Sequence, residues 1–320
     1  MTPFVSIIIP IYNVAEYIEK CILSIIRQTY LGRIECLLID DNTPDDSIII
    51  ALNIIERYKG PITFRIIHHD MNKGLSAARN TGVRNASGDY VYFLDSDDYI
   101  YPECIHSLVE TLSKFPQSEI VIGGADSSLQ SCNLEKKMND LPPFSDDVRW
   151  IRKTFLTRGQ LPITAWNKLI LKDFLIKNNL FFMEGVLNED EHFNFIIAKK
   201  LSKVSFCFRN TYFYNQREGS IMTSNNALSK QKSLLLICND MISKLEQKTI
   251  PEEFVYIFHI LLDLRYSEYD CISSEAIIAL KHLCSRTSLL GMVFIYIIIY
   301  FPKVLTQHSF VYLLSGHIIF

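Results

Sequence analysis

The sequence predicts an α/β domain with a mostly parallel central sheet flanked by helices, followed by a helical C-terminal extension. Three observations predict it. Short apolar runs alternate with stretches of helical period from residue 4 to residue 123. Several of those runs end in polar or acidic residues, as strands do at the ligand-binding edge of an open α/β sheet. Beyond residue 226 only helical patterns remain.

Taken in order, residues 4–9 form a continuous apolar run, the signature of a strand buried on both faces, and it ends in Pro10-Ile11-Tyr12-Asn13. Between 14 and 28 the period changes: Val14, Ile18, Cys21, Ile22, Ile25 and Ile26 mark one helical face, with Glu16, Glu19 and Lys20 off it. A second apolar strand, 34–39, ends in Asp40-Asp41-Asn42. Residues 43–47 supply turn and N-cap chemistry for a helix to about residue 58. A third strand covers 62–67, Asn72-Lys73-Gly74 breaks the chain, and 75–85 reads as a helix. The aromatic and β-branched run 90–94 is a strand, ending in Asp95-Ser96-Asp97-Asp98. A helix at 103–114 and a strand at 120–123 follow. Residues 126–146 are polar and loop-like. Helical patterns cover 146–156, 168–178 and 189–200, and two short strands, 204–208 and 211–214, flank a turn at Arg209-Asn210. Further helices fall near 227–247, 252–268, 274–285 and 289–301. Strands and helices alternating at the early spacing imply β-α-β units.

Composition narrows the function class. The chain has 320 residues, 48% hydrophobic and 21% charged, enough for a sizeable core, and a net charge of −3 gives no basic surface for nucleic acid. Its 8 cysteines are scattered without a C-x-x-C pair, which suits buried thiols in a reducing compartment. Met1-Thr2-Pro3-Phe4 shows no basic n-region, and the following apolar run, broken by Pro10, reads as a strand rather than a signal peptide. The apolar run 289–301 is shorter than the roughly 20 residues that span a bilayer.

The Asp95-Ser96-Asp97-Asp98 turn concentrates carboxylates at a strand end. Clustered carboxylates repel unless a cation neutralises them. A hard divalent ion such as Mg²⁺ or Mn²⁺, itself bound to phosphate oxygens, is a natural partner; a solvated acidic turn is the plain alternative. Tyr12 and Asn13 at one strand end, with Asp40 and Asp41 at the next, offer a ring and carboxylates to a planar base. The plain alternative there is a turn tyrosine and two capping aspartates. Arg79, in a helix beside the acidic strand end, suits phosphate oxygens or an ion pair with the aspartates. Glu189, Asp190 and Glu191 favour the dipole of a helix N-terminus. However, Phe193, Ile196 and Ile197 define that helix's apolar face, which places Glu189 within it, Asp190 at its edge and Glu191 away. An inward acid suits general-base work. His192 and His68-His69 read as ordinary polar histidines. Trp166 and Lys168 put an aromatic and a cation near a helix start, and Gln216-Arg217-Glu218-Gly219-Ser220 is a polar loop able to close over an anion.

These motifs together carry a resemblance. The first-strand segment ending Ile9-Pro10-Ile11-Tyr12-Asn13, then Leu38-Ile39-Asp40-Asp41-Asn42-Thr43, Gly74-Leu75-Ser76-Ala77-Ala78-Arg79-Asn80-Thr81-Gly82 and Phe93-Leu94-Asp95-Ser96-Asp97-Asp98 resemble the family 2 glycosyltransferases of the Rossmann-like GT-A fold. The likeness is strong over 3–115 and weaker over 160–225, where the Trp-Asn-Lys, Glu-Asp and Arg-Glu-Gly-Ser motifs are similar to those of capsule, lipopolysaccharide and exopolysaccharide synthesis members.

The resemblance implies an inverting transfer from a nucleotide-sugar donor, usually a UDP-sugar, to a hydroxyl of a glycan or lipid-linked acceptor. It implies that Pro10, Tyr12 and Asp40 hold the base, with Asn13 and Ser96 also in the nucleotide-sugar site. It gives Arg79 to the nucleotide phosphates, Asp95 and Asp97 to a D-x-D motif binding Mn²⁺ or Mg²⁺ chiefly through Asp97, and Asp190 to the catalytic base. Glu189, Trp166, Lys168, Arg217 and Ser220 would form an acceptor or phosphate loop. Asp41-Asn42-Thr43-Pro44 departs from the Asp-Gly-Ser common in relatives, which puts the loop shape in question. The implied organisation is a catalytic domain over 1–225, with a donor half 1–115 and an acceptor half 116–225, then a helical region over 226–320.

Competing readings fit less well. A dehalogenase-type phosphatase places its D-x-D after the first strand, and a dinucleotide oxidoreductase needs a glycine-rich turn there. A nucleotidyltransferase would release pyrophosphate rather than UDP, and a silent sugar-nucleotide-binding or assembly subunit would not hydrolyse donor. The expected location is cytoplasmic. The apolar tail 286–320 is either packed on the protein or laid in the membrane interface on the cytoplasmic face.

Overall fold

The structure, a computed structural model, describes residues 2–127, 140–216, 227–246 and 251–284. The run 289–301, the rest of the tail, Arg217 and Ser220 lie outside the described residues. Among those described, no helix is long and apolar enough to cross a membrane.

The described chain divides into two compact units. The first is organised on strands β1 (Val5–Ile11), β2 (Ile34–Asp40), β3 (Thr63–His68) and β4 (Tyr90–Phe93), all parallel in the order β3-β2-β1-β4. Helices α1 (Ile18–Ile26), α2 (Ser47–Ile55) and α3 (Leu75–Asn85) make the crossovers. Every residue of β1 is buried, because it runs between two strands; the edge strand β3 alternates exposed and half-buried residues instead. That contrast is the physical origin of the continuous apolar run at the N-terminus.

Beyond β4 the sheet changes character. β5 (Tyr99–Ile100), α4 (Cys104–Lys114), β6 (Ile120–Ser127), β7 (Phe144–Ser145), α5 (Val148–Leu156), β8 (Lys168–Leu171), α6 (Lys172–Lys177), α7 (Glu189–Lys200) and β9 (Val204–Tyr214) follow. The sheet continues from β4 through β8, β6 and β9 to β5, with β7 also on β9. β4 pairs parallel with β1 and antiparallel with β8, so it stands where the sheet switches from parallel to mixed pairing. In open α/β sheets ligands bind outside the carboxyl ends of the strands at such a switch point.

Two local expectations are corrected. The helix expected from residue 168 begins only at Lys172, because Leu169 and Ile170 are buried in a strand between β4 and β6. A short apolar run does not distinguish the two states by period, and the neighbouring strands decide it. Likewise β9 is one strand: at Arg209-Asn210 it passes a register irregularity against Gly123-Gly124 rather than turning back.

Asn167 explains that irregularity. It adopts a left-handed backbone (φ 58°), which asparagine tolerates better than most residues. Its amide donates to the carbonyls of Gly123 (2.9 Å) and Gly124 (2.7 Å), and its Oδ1 accepts from Thr211 (2.7 Å) and Tyr92 (3.1 Å). One buried side chain thus joins β4, β6 and β9 at the entrance to β8. A Cβ on Gly123 would collide with Thr211 Oγ1 and lie 2.9 Å from Asn167 Oδ1. Gly123→Ala is therefore expected to destabilise the protein by about 1–3 kcal/mol, read as a lower denaturant midpoint.

The second unit carries α8 (Ala227–Ser243), α9 (Pro251–Arg265) and α10 (Asp270–Cys284), with the short segments 156–158 and 186–188. Ile237, Met241, Ile257, Leu261 and Leu280 form its buried interior, and Arg158 pairs with Asp263 at 2.9 Å.

Candidate active site

The site lies in the first unit, where the parallel strands end. Pro10 is buried within β1, and Tyr12 just beyond it is 47% exposed, its ring open to a ligand. Asn13 takes a left-handed turn (φ 54°) and donates its N–H to Thr43 Oγ1 at 2.8 Å. Asp40, at the end of β2, accepts the Thr43 N–H (2.9 Å) and meets His68 Nδ1 at 2.7 Å.

Asp41 works differently from its neighbour. It is buried, accepting the N–H groups of Lys73 and Gly74 at 2.8 Å each and meeting His69 Nδ1 at 2.6 Å. His69 Nε2 in turn lies 2.9 Å from Thr81 Oγ1 on α3. The aspartate therefore clamps the turn that opens α3, while a Gly82 Cβ would strike Ile8, so α3 sits tight against β1. The two histidines are partners of the two aspartates. The sequence signal was present: β2 and β3 pair in register with Asp40 opposite His68, so consecutive Asp-Asp and His-His pairs end adjacent strands.

The clamp fixes Arg79, the centre of the site. Arg79 is 1% exposed and spreads its guanidinium over three carboxylates. Nη2 donates to Asp95 at 2.8 Å; Nη1 donates to Glu189 at 2.7 Å and reaches Asp190 at 3.4 Å. Burial alone would lower its pKa, but Asp95, Asp190 and Glu189 outweigh burial and raise it, so the group stays charged. With both terminal nitrogens engaged by carboxylates, Arg79 ties the turn after β4 to the start of α7, the ion-pair role that its sequence position also allowed.

At that turn Asp95 and Asp97 are half-buried, and Ser96 and Asp98 are buried. Asp98 accepts from Tyr212 Oη (2.5 Å) and from the Asn215 N–H (2.8 Å), which fastens the turn to the end of β9. Burial pushes its carboxyl to about 8, with the charges of Asp95 and Asp97 adding to the effect.

At the first turn of α7, Glu189 is buried and Asp190 half-buried. Asp190 also accepts the Ala165 N–H at 3.2 Å. Burial raises its carboxyl to about 7, helped by Glu189 and Asp95 and opposed by Arg79 and Lys168. A carboxyl near 7 is matched to proton abstraction at neutral pH. Trp166 is buried and stacks on Tyr212 (4.4 Å) and Tyr214 (5.8 Å), so it forms a wall rather than an exposed platform. Lys168 is 3% exposed and donates to the backbone carbonyls of Pro162 (3.2 Å) and Thr164. Neither Trp166 nor Lys168 sits near a helix start, since β8 begins at Lys168.

Residues 6–170 match the model of glycosyl transferase family 2. The chain belongs to that family. Among family relatives, the uncharacterized glycosyltransferase EpsJ of Bacillus subtilis is 34% identical over 69% of this chain, and the match spans 63% of EpsJ. The cholesterol galactosyltransferase of Borreliella burgdorferi is 32% identical, over 78% of this chain and 69% of that protein. Among solved structures, Staphylococcus aureus TarS 1–349 in complex with UDP-GlcNAc aligns with a TM-score of 0.67 at 19% identity, covering 90% of this chain and 82% of that one. At that identity the likeness speaks to the fold, which is the GT-A fold of the family.

Proposed function

We propose that the protein is an inverting glycosyltransferase that moves a sugar from a nucleotide-sugar donor, of the UDP-sugar class, to a hydroxyl of a glycan or lipid-linked acceptor in cell-surface polysaccharide synthesis. The observation that carries this reading is the Arg79 hub. It holds an acidic turn suited to a divalent cation that carries a donor diphosphate, and an elevated carboxyl suited to a hydroxyl proton, within reach of one guanidinium. UDP-GlcNAc in the TarS complex supports the donor class.

The residues divide by task in this reading. Tyr12 stacks on the base, and Asp40 accepts an N–H from its edge. Asp190 removes the acceptor proton as the hydroxyl attacks the anomeric carbon from the face opposite the leaving diphosphate. Arg79 keeps Asp190 and Asp95 in register. The donor half then corresponds to 1–115 and the acceptor half to 116–225.

The acidic turn fits a hard divalent cation. Asp95 and Asp97 offer only carboxylate oxygens, and among the described residues no group of three or more His, Cys, Asp or Glu side chains is placed to hold a metal ion by itself. Such a set leaves coordination positions for phosphate oxygens and water. Mn²⁺ or Mg²⁺ held there would neutralise charge on the diphosphate.

The test is UDP release from a panel of UDP-sugars, with pyrophosphate measured alongside. UDP supports glycosyl transfer; pyrophosphate would indicate nucleotidyl transfer. Asp97→Ala is expected to weaken UDP binding in the presence of Mn²⁺ by about tenfold or more, through loss of a charged metal ligand. Calorimetric titration giving the wild-type affinity would remove Asp97 from the metal site.

A further inference from the structure

Lys168 is a buried cation whose hydrogen bonds go to carbonyls and not to a carboxylate. It opens β8, a strand buried between β4 and β6, and its Nζ reaches back to the carbonyls of Pro162 and Thr164. Burying an ammonium is costly unless something compensates for the lost water. The two carbonyls do so in part, and they belong to the loop that presents the Ala165 N–H to Asp190 at 3.2 Å.

We infer that Lys168 is a positioning residue for Asp190: its ammonium holds the Pro162 and Thr164 carbonyls and so fixes the 162–165 backbone with the Ala165 N–H aimed at the carboxylate. The inference rests on the assignment of Asp190 as the base. The charged groups that act on Asp190 are Arg79 from α3, which reaches it at 3.4 Å, Asp95 from the turn after β4, Glu189 from its own helix and Lys168 from β8. Two are cationic and two anionic. Arg79 is committed to three carboxylates, which leaves Lys168 as the second positive influence. Burial and the charge of Arg79 lower the pKa of the Lys168 ammonium, and Asp190 opposes them.

A lysine that only stabilised the loop would change melting and nothing else. A positioning lysine changes the chemical step and its pH dependence. Lys168→Met keeps the length and removes the charge and donors. With the UDP-sugar that the wild type turns over, this variant is expected to lose about tenfold or more in kcat through misplacement of the base. The midpoint of its acid limb should move up by about one pH unit, because a nearby cation no longer favours the carboxylate. Affinity for UDP with Mn²⁺, by calorimetry, should stay within about twofold, since Lys168 touches no donor-binding group. Lys168→Arg, which keeps the charge, should return the midpoint toward the wild type. If thermal melting shows that Lys168→Met does not fold, Lys168→Gln, which keeps a donor, reports the same midpoint shift. A folded Lys168→Met or Lys168→Gln with wild-type kcat and midpoint overturns the inference. Asp190→Asn, run alongside, separates the two assignments: wild-type turnover in that variant would sink the base assignment, whereas a dead Asp190→Asn beside an unaltered Lys168→Met would sink only the brace.

Discussion

Asp190→Asn is expected to abolish sugar transfer and leave UDP binding in place. The substitution is nearly isosteric, and an amide oxygen can still accept from Ala165 N and Arg79 Nη1. What it removes is the ability to take a proton. General-base catalysis is worth roughly 10²–10⁴ in rate, so UDP release in the presence of acceptor should fall by about that factor. Calorimetric titration of UDP with Mn²⁺ should return the wild-type constant, because the amide keeps the contacts to Ala165 and Arg79 and the proposed donor ligands are unchanged. The pH profile gives an independent check. Burial and the charges of Glu189 and Asp95 raise this carboxyl to about 7 against the pull of Arg79 and Lys168. The base works only when deprotonated. Turnover of the wild type should therefore fall as pH drops through about 7, and the residual rate of the variant should lack that limb. Full turnover in Asp190→Asn would remove the residue from the mechanism.

The parts of this site that were legible in the sequence are those set by short-range rules. Parallel strands buried on both faces print as unbroken apolar runs, so the ends of β1, β2 and β4 could be found, and with them Tyr12, Asp40 and the acidic turn. The inward tilt of Glu189 followed from helical period alone, and Glu189 is buried beside the half-buried Asp190. What the sequence left open was which partner each charge would meet. Arg79 meets Glu189 across a separation of 110 residues, and nothing local distinguishes a phosphate-binding arginine from one enclosed by carboxylates. Lys168 carried the same ambiguity in stronger form: its short apolar strand shows no period that excludes a helix, and its hydrogen bonds go to carbonyls that only the folded loop brings near. Asn167 was visible as a motif residue, yet its bridging of β4, β6 and β9 depends on a register irregularity that no local pattern announces.

Arg79→Met should produce the largest loss of stability, and the loss should depend on pH. Removing one partner of a buried ionic cluster costs about 3–5 kcal/mol. The lower end applies here, since the Asp95 and Asp190 side chains keep 24% and 21% of their exposure. A loss of about 3 kcal/mol lowers Tm by roughly 10 °C in a unit of this size. The sign of the pH effect follows from proton binding. Without the guanidinium, the Asp190 carboxyl, raised to about 7 by burial and by the charges of Glu189 and Asp95, loses the main charge that opposes that rise, and its folded-state pKa moves further above that of the unfolded chain. The folded state then holds more protons than the unfolded state across the mildly acidic range, so the variant regains stability as pH falls. Melting at pH 7.5 should show the full deficit, and melting at pH 5 a smaller one. Arg79 also lies with its Cζ 5.2 Å from the Phe182 ring, so packing is the rival explanation. Methionine replaces much of that packing but none of the charge, and a packing loss is blind to pH. Equal deficits at both pH values would mean that Arg79 supports the site as a filler of space, while a deficit confined to neutral pH would establish it as the cation that keeps three carboxylates together.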